Sequence, residues 1–329
     1  MMHPSCHLLS LSAYVPDTVL TNDDLAKVVD TNDEWIVSRT GIRQRHKLAD
    51  ADNASDLGLR AAREALREAR LDAAALTHVI AATCTPDALS PSVACIIAGQ
   101  LGASGVMAFD FGAACSGFLY GLSLCRALLL QEPEAKILFV CTEALTRRIN
   151  WADRSTCVLF GDAATACIVT STAESALAGL DDVVCHSDGA QRGLIHVGGG
   201  TGCAYGMGDP VDDSFFITMQ GRETYKHAVR NMVHVCEEVL ARNNMGTADV
   251  DLLVPHQANM RIIEAVGGRL EIAGDRVFTN VAKYGNTSSA SIPLALVEAR
   301  AEGRIRPGAR VLTTAFGAGL TWGAALLHF

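Results

Sequence analysis

The sequence predicts an α/β protein built from two similar halves. Apolar strand-like runs alternate with helix-like runs along nearly all of the 329 residues, which is the pattern of sheets covered by helices. Hydrophobic residues make up 49% of the chain and charged residues 19%, a balance that favours one large buried core. Cys115 and Asn286 each lie where a strand meets an apolar helix among small residues, about half a chain apart. This internal echo indicates a duplication.

The elements follow from the spacing of apolar residues and from their caps. Short apolar runs bounded by turn residues predict strands over 8–14, 78–83, 106–111, 136–142, 157–169, 217–219, 250–254, 277–281, 311–315 and 320–329. Apolar faces at helical spacing predict helices after the capping box at 21–24, over 55–70 with Ser55 as cap, and over 92–101, 116–130, 221–243, 259–263 and 290–299. The composition softens over 171–182, so we predict an N-terminal half over 1–173 and a C-terminal half over 174–329.

Charge and cysteine usage narrow the partners and the compartment. A net charge of −9 disfavours nucleic acid as the main partner. The eleven cysteines are scattered without a C-x-x-C pair, which argues against a zinc ribbon and suits a reducing compartment. The N-terminus lacks the pattern of a signal peptide, and the uncharged run over 90–109 is predicted as a buried helix and strand. We therefore expect a cytoplasmic protein without a membrane partner. The glycine-rich segment over 198–202 fits no phosphate-binding motif and is predicted as a surface loop.

Three strand ends carry groups that can do chemistry. Cys115 follows an apolar strand and precedes a long apolar helix, where free N–H groups and the helix dipole favour a thiolate. The working hypothesis is a covalent nucleophile, although a free cysteine is also a common core residue. His256 follows another strand, and Asn286 follows a turn at the start of an apolar helix. Separately, a hydrogen-bonding histidine and a capping asparagine are the ordinary interpretations.

A further pair precedes the first large helix. Trp35 and Arg39 are four residues apart and share one helix face. They are either a surface anchor with a solvated neighbour or a grip on a planar, anionic ligand such as a nucleotide.

Together these stretches resemble the β-ketoacyl-acyl carrier protein synthase III family of thiolase-fold condensing enzymes. The resemblance covers essentially the whole chain and rests on six motifs in order: TNDEWIVSRTGIR at 31–43, FDFGAACSGF at 109–118, DRSTCVLFGD at 153–162, VPHQANMRII at 254–263, YGNTSSASIP at 284–293 and AFGAGLTWG at 315–323. The implied fold is a thiolase-like α-β-α-β-α stack of duplicated α/β halves, with buried central helices.

The resemblance also implies a reaction. Cys115 would take an acyl group from acyl-CoA, with the backbone N–H groups of Cys115 and Ala318 as the oxyanion hole. His256 and Asn286 would stabilise the enolate formed when malonyl-acyl carrier protein loses carbon dioxide. The enolate would then attack acyl-Cys115. This decarboxylating 3-oxoacyl-acyl carrier protein synthase would initiate fatty acid synthesis without a metal or redox cofactor.

The remaining site residues are assigned by the same resemblance. Thr31, Trp35, Arg39, Arg154 and Asn259 would bind coenzyme A, and Lys226, Arg261 and Arg269 would face the acidic carrier protein. A homodimer is the family expectation.

One departure concerns the acyl pocket. Ser90 stands where acetyl-primed members carry a bulky phenylalanine, so we expect a longer or branched primer. The main alternative is a related condensing or acyl-transferring enzyme of secondary metabolism. A degradative thiolase lacks support because the final glycine loop has no second cysteine, and a non-catalytic partner subunit would lack the nucleophile.

Overall fold

The fold is organised around one large mixed sheet. The computed structural model of the protein describes residues 5–198 and 215–329. In this part of the chain the strands are β1 (His7–Tyr14), β2 (Thr18–Thr21), β3 (Gln44–Lys47), β4 (His78–Ala82), β5 (Met107–Phe111), β6 (Ile137–Glu143), β7 (Ala163–Thr170), β8 (Ala178–Ser187), β9 (Ile195–Val197), β10 (Ile217–Met219), β11 (Leu252–Pro255), β12 (Arg310–Gly317) and β13 (Thr321–His328). The α-helices there are α1 (Asn22–Leu25), α2 (Asp33–Thr40), α3 (Ala54–Ala69), α4 (Val93–Leu101), α5 (Gly117–Gln131), α6 (Gly221–Arg242), α7 (Met260–Arg269), α8 (Val281–Tyr284) and α9 (Ser291–Ala301).

The order of the strands repeats between the two halves of the chain. The sheet runs β11-β12-β13-β8-β1-β7-β6-β4-β5, and a short pairing of His7 and Leu8 with the start of β8 joins its two halves. The N-terminal part of this sheet contains β1, β4, β5, β6 and β7, which are its first to fifth strands along the chain. From the β5 edge inwards they follow the order third, second, fourth, fifth and first. The C-terminal part has the same order, with a parallel bridge between Leu253 and Val277 in place of its third strand. This repetition confirms the predicted duplicated α/β fold.

Three layers of helices alternate with the two halves of the sheet. The central helices α5 and α9 contact strands of both halves and share one core cluster with them. Helices α3 and α4 pack outside the N-terminal strands, and α6 and α7 pack outside the C-terminal strands. Because side chains alternate along a strand, Ile80 and Ala82 of β4 face the central layer while Val79 and Ala81 face α3 and α4. The predicted α-β-α-β-α stack is confirmed.

Small residues allow α5 to lie close to the sheet. A Cβ atom on Gly121 would lie 1.9 Å from Cζ of Phe139, and one on Gly117 would lie 2.9 Å from Cβ of Ser289. Phe118 stacks on the same Phe139 ring with centroids 6.0 Å apart. With the preceding turn this helix is long and apolar enough, by length and composition alone, to cross a membrane, and half of that stretch is buried inside the fold.

Several element predictions were wrong in detail. The strand predicted over 157–169 begins at Ala163, because residues 157–159 form a turn and Phe160 makes only an isolated bridge with Asn286. The strand predicted over 277–281 is reduced to the single bridge at Val277, and α8 follows. Strand β8 was not predicted, because a run rich in Ala and Asp was interpreted as a softened boundary.

Other differences concern caps and segment ends. Helix α3 is capped by Asn53, and the Ser55 hydroxyl instead donates to Asp87 at 2.5 Å. The predicted boundary between residues 173 and 174 falls between β7 and β8 and stays a prediction. Most of the glycine-rich segment over 198–202 lies outside the described residues.

Candidate active site

The Cys115 turn joins β5 to α5 and has an unusual backbone. A 3₁₀ turn over Ala114–Ser116 precedes the helix, and Ala114 has a φ of 46°, a left-handed conformation that is uncommon outside glycine. Such a residue turns the chain sharply and exposes the next side chain. The Cys115 thiol consequently lines an open cavity.

A matching turn precedes α9 in the second half. Ser288 opens the 3₁₀ turn Ser288–Ala290 with a φ of 48°. The counterpart of Cys115 in the duplication is therefore Ser289, and the predicted echo with Asn286 is off by three residues. Ser289 is no second nucleophile, because it is 1% exposed and its hydroxyl donates to Glu143 at 2.7 Å.

Asn286 is held with its amide nitrogen available. Its backbone N–H donates to the carbonyl of Leu159 at 2.8 Å. Its side-chain Oδ1 accepts the backbone N–H of Ser288 at 2.9 Å. Because that bond fixes the oxygen, the Nδ2 group is the end of the side chain that remains to donate.

His256 is a buried, neutral imidazole at the end of β11. Its backbone N–H donates to the carbonyl of Thr314 at 2.8 Å, which continues the pairing with β12. Its Nδ1 contacts the hydroxyl of Ser291, whereas its Nε2 has no hydrogen-bond partner among the described residues. Burial lowers the pKa of His256 to about 3, so the ring carries no charge at neutral pH.

One cavity brings the three groups together. Cys115, His256 and Asn286 all line a cavity of about 620 Å³, although they come from sequence positions far apart. The wall is mostly apolar and includes Phe160 and Phe316. A thiol, an imidazole and an amide that share a narrow, apolar cavity can form a thioester and stabilise charge on its oxygen.

The thiolate predicted for Cys115 does not agree with its surroundings. Burial raises the pKa of the thiol to about 12, the hydrogen bond from Ser288 only partly opposes this, and the buried carboxylate of Glu143 adds to it. The raised pKa favours the neutral thiol at neutral pH. The sequence-based prediction considered the helix dipole but not the loss of water around the sulfur.

The glycine loop after β12 lies against the Cys115 turn. A Cβ on Gly317 would lie 2.7 Å from the backbone nitrogen of Cys115, so only glycine fits this approach. Thr321 ties the two segments together because its hydroxyl lies 3.0 Å from the carbonyl of Ala113 and 3.1 Å from that of Ala318. Within the described residues, no backbone carbonyl outside the helices and strands accepts the N–H groups of Cys115 and Ala318.

The mouth of the cavity carries the predicted tryptophan and two arginines. The Arg39 guanidinium lies 4.4 Å and the Arg154 guanidinium 4.7 Å from the centroid of the Trp35 ring, which is cation–π distance. Arg154 also donates to the carbonyl of Asp30 at 2.9 Å, beside the predicted Thr31. Thr31 itself does not line the cavity, and its hydroxyl is buried.

The remaining predicted residues divide into two groups. Asn259, Lys226 and Arg261 line the cavity mouth, and Asn259 links α7 to α2 by donating to the carbonyl of Arg39 at 3.2 Å. Arg269 is exposed at the opposite end of α7, about 12 Å further along the helix.

Ser90 is not part of this cavity within one chain. It lies in the exposed segment before α4, and the cavity that holds Cys115 is lined without it. The predicted place of Ser90 in the acyl pocket is therefore not seen within the single chain.

Sequence reasoning missed several residues around the site. Arg222 and Tyr225 line the mouth beside Lys226, and their spacing on α6 is the signal that could have identified them. Glu143 and Ser291 are buried behind the site, and no local pattern marks them.

A duplicated fold with these groups in one cavity is that of a thiolase-fold condensing enzyme. Two family models match the chain, 3-Oxoacyl-[acyl-carrier-protein (ACP)] synthase III over residues 109–189 and its C-terminal model over 240–329. A Beta-ketoacyl-[acyl-carrier-protein] synthase III of Nitratidesulfovibrio vulgaris is 57% identical over 325 residues, covering 99% of this chain and 98% of the relative. The relative of the same name from Aquifex aeolicus is 43% identical, covering 98% and 99%.

Solved structures agree with this assignment. The crystal structure of the Aquifex aeolicus synthase III has a TM-score of 0.90 and covers 98% of this chain and 100% of its own. That of Thermus thermophilus has a TM-score of 0.90 at 41% identity, covering 98% and 99%. The chain belongs to the β-ketoacyl-acyl carrier protein synthase III family, the acyltransferases that carry out the initiating condensation of fatty acid synthesis.

Proposed function

We propose that Cys115 carries the acyl group in this condensation. The single observation that supports it most is the convergence of Cys115, His256 and Asn286 on one cavity. The Cys115 sulfur forms a bond to the acyl carbon of acyl-CoA, the carbon–sulfur bond to coenzyme A breaks, and the thiol proton passes to the departing sulfur. The backbone N–H groups of Cys115 and Ala318 would bind the oxyanion of the intermediate.

The second half-reaction uses the two neutral donors. Malonyl-acyl carrier protein loses carbon dioxide, and the electron pair of the broken carbon–carbon bond passes into an enolate. Nε2 of His256 and Nδ2 of Asn286 stabilise its oxygen. The enolate carbon attacks the acyl carbon, the bond from that carbon to the Cys115 sulfur breaks, and the sulfur leaves as a thiolate that takes up a proton from water, giving the β-ketoacyl product and the starting thiol. The chemistry proceeds through thioesters alone, so the proposal includes no metal or redox cofactor.

The charged mouth is proposed to receive coenzyme A and the carrier protein. Trp35, Arg39 and Arg154 offer a flat ring and two cations to an adenine nucleotide. Thr31 lies next to Asp30, whose carbonyl accepts a hydrogen bond from Arg154, and Asn259 donates to the carbonyl of Arg39. Both contacts help to hold the arginines at the mouth.

The carrier protein would approach the same mouth. Lys226 and Arg261 flank it, and Arg269 extends the basic side along α7 towards an acidic partner. Local positive charge of this kind lets a chain with a net charge of −9 bind an acidic protein.

A homodimer is proposed from the free edge of the sheet. Strand β5 is the last strand at its end, and its first residue Met107 is 53% exposed; an apolar edge of this kind is suited to pair with a second copy. Asp110 of β5 accepts the N–H groups that start α4, so the segment with Ser90 and Leu89, which is 85% exposed, lies beside this edge. Ser90 would then act on the primer only from a partner subunit.

We also propose a cytoplasmic location and a boundary between the two halves of the chain. The ten cysteines within the described residues are unpaired, which supports a cytoplasmic location. The repeated strand order supports halves that meet near residues 173 and 174.

The test is a reconstituted condensation. Purified protein is incubated with a panel of acyl-CoAs and malonyl-acyl carrier protein, and the β-ketoacyl product is measured by mass spectrometry. We expect product with the wild type and none with Cys115→Ala. Preference for acyl chains longer than acetyl would support the Ser90 argument, and strict use of acetyl-CoA would contradict it. Absence of product from every acyl-CoA would contradict the proposed function.

A further inference from the structure

The hydroxyl of Ser291 lies directly against the ring of His256. Ser291 is the first residue of α9, and 1% of it is exposed. Its Oγ is in hydrogen-bonding contact with Nδ1 of His256. The backbone N–H of Gln257, the next residue after the histidine, donates to the same Oγ at 3.3 Å.

These two contacts decide which nitrogen of His256 carries the proton. A serine hydroxyl has one hydrogen to donate and two lone pairs to accept. One lone pair takes the Gln257 N–H, and within residues 5–198 and 215–329 the acceptor that remains for the hydroxyl hydrogen is Nδ1. Nδ1 must then be the unprotonated nitrogen, so the proton of the neutral ring lies on Nε2.

We propose that Ser291 is a positioning residue that holds His256 as its Nε2–H tautomer, so that the imidazole donates a hydrogen bond into the cavity beside Cys115. The inference rests on the proposed function and refines it. With Nε2 protonated, His256 cannot accept the Cys115 proton through the nitrogen that faces the cavity. Its contribution therefore belongs to enolate stabilisation and not to acyl transfer.

The tautomer can be observed without any turnover. The protein is labelled with ¹⁵N at its histidine rings, and the His256 signals are assigned by their loss in His256→Ala. We expect a protonated Nε2 and an unprotonated Nδ1 in the wild type. Ser291→Ala should introduce a measurable Nδ1–H population, because the ring is then free to exchange tautomers. Ser291→Thr keeps a hydroxyl and should retain the wild-type pattern.

The two half-reactions supply the second measurement. Ser291→Ala should lower kcat for malonyl-acyl carrier protein decarboxylation by about three- to tenfold, less than the loss of a whole oxyanion donor, with KM unchanged. Acylation of Cys115 should stay within about twofold of the wild type, since His256 gives no proton-accepting nitrogen to that step. Ser10→Ala is the matched control, because Ser10 is equally buried at 1% exposed and its hydroxyl donates to Ala65 in the outer layer, at 2.7 Å.

Three outcomes would overturn the inference: an Nδ1–H ring in the wild type, a Ser291→Ala variant with unchanged tautomer and decarboxylation, or equal losses in both half-reactions. A wild-type protein that never acylates Cys115 would refute the proposed function, while the tautomer measurement would still report on Ser291.

Discussion

Replacing Asn286 should separate the condensation step from the acyl-transfer step. The structure gives the side chain two tasks: its Oδ1 accepts the Ser288 N–H at 2.9 Å, and its Nδ2 remains to donate into the cavity. Losing one preorganised donor to an oxyanion costs about 10²–10³-fold in rate. We therefore expect Asn286→Ala to lower decarboxylation by that factor, with acylation of Cys115 within a few-fold of the wild type.

The same variant should also lose stability, and a second variant distinguishes the two effects. Ser288 is 3% exposed, so its N–H without an acceptor costs about 1–3 kcal/mol in the free energy of unfolding. Asn286→Asp keeps an oxygen for Ser288 but replaces the amide donor by a second oxygen. It should keep the Ser288 hydrogen bond that Asn286→Ala loses, and it should still lose decarboxylation by at least about 10²-fold.

The assay follows each half-reaction separately. Release of coenzyme A from acyl-CoA reports acyl transfer, and release of labelled carbon dioxide from malonyl-acyl carrier protein reports decarboxylation. Unfolding in urea gives the free energies. Retention of decarboxylation within about threefold of the wild type in Asn286→Asp, or equal losses in both half-reactions, would refute the role given to Asn286.

Three further predictions concern the thiol, the central helix and the charged mouth. Burial raises the pKa of Cys115 to about 12. The thiolate fraction of Cys115, and hence the rate at which iodoacetamide alkylates Cys115, should therefore rise about tenfold per pH unit from about pH 7 to 9. A plateau of that rate within this range would contradict the raised pKa. Gly121→Ala should destabilise the protein by about 1–3 kcal/mol or more, because the new methyl would lie 1.9 Å from a buried phenylalanine ring. The control Gly99→Ala in α4 has open space around it and should be neutral or stabilising by up to about 1 kcal/mol. Equal changes of the two variants in the free energy of urea unfolding would refute the packing argument. Arg261→Glu should raise KM for malonyl-acyl carrier protein about five- to tenfold at low salt, with the difference shrinking as salt screens the charges; the same loss in Arg67→Glu on α3 would show a general charge effect instead.

The duplicated fold was predictable because each half repeats the same local pattern. Apolar runs for β4, β5, β6 and β12 are short and bounded by turns, and the buried helices after Cys115 and Asn286 are apolar on most sides. The errors lie where tertiary contacts override local pattern. Residues 277–281 are apolar enough for a strand, but they pair at one residue before α8 begins. Strand β8 pairs with β1 and β13, and its first half lies in the run over 171–182 whose small and acidic residues suggested a boundary.

The placement of Cys115, His256 and Asn286 in one cavity was also predictable, because each lies within a recognisable motif. The protonation state of Cys115 was not predictable from the sequence. A helix start suggested a thiolate at Cys115, but the distant Glu143 and the apolar wall keep the thiol neutral. Likewise Ser291 lies 35 positions from His256 in sequence, and only the folded chain places its hydroxyl on the imidazole.

The central claim is that Cys115 carries the acyl group, and intact-mass spectrometry tests it most directly. Wild-type protein is mixed with acyl-CoA and the adduct is mapped by peptide digestion. We expect a mass increase of one acyl group, located on Cys115 and absent from Cys115→Ala. An adduct on another of the eleven cysteines, or one that persists in Cys115→Ala, would contradict it.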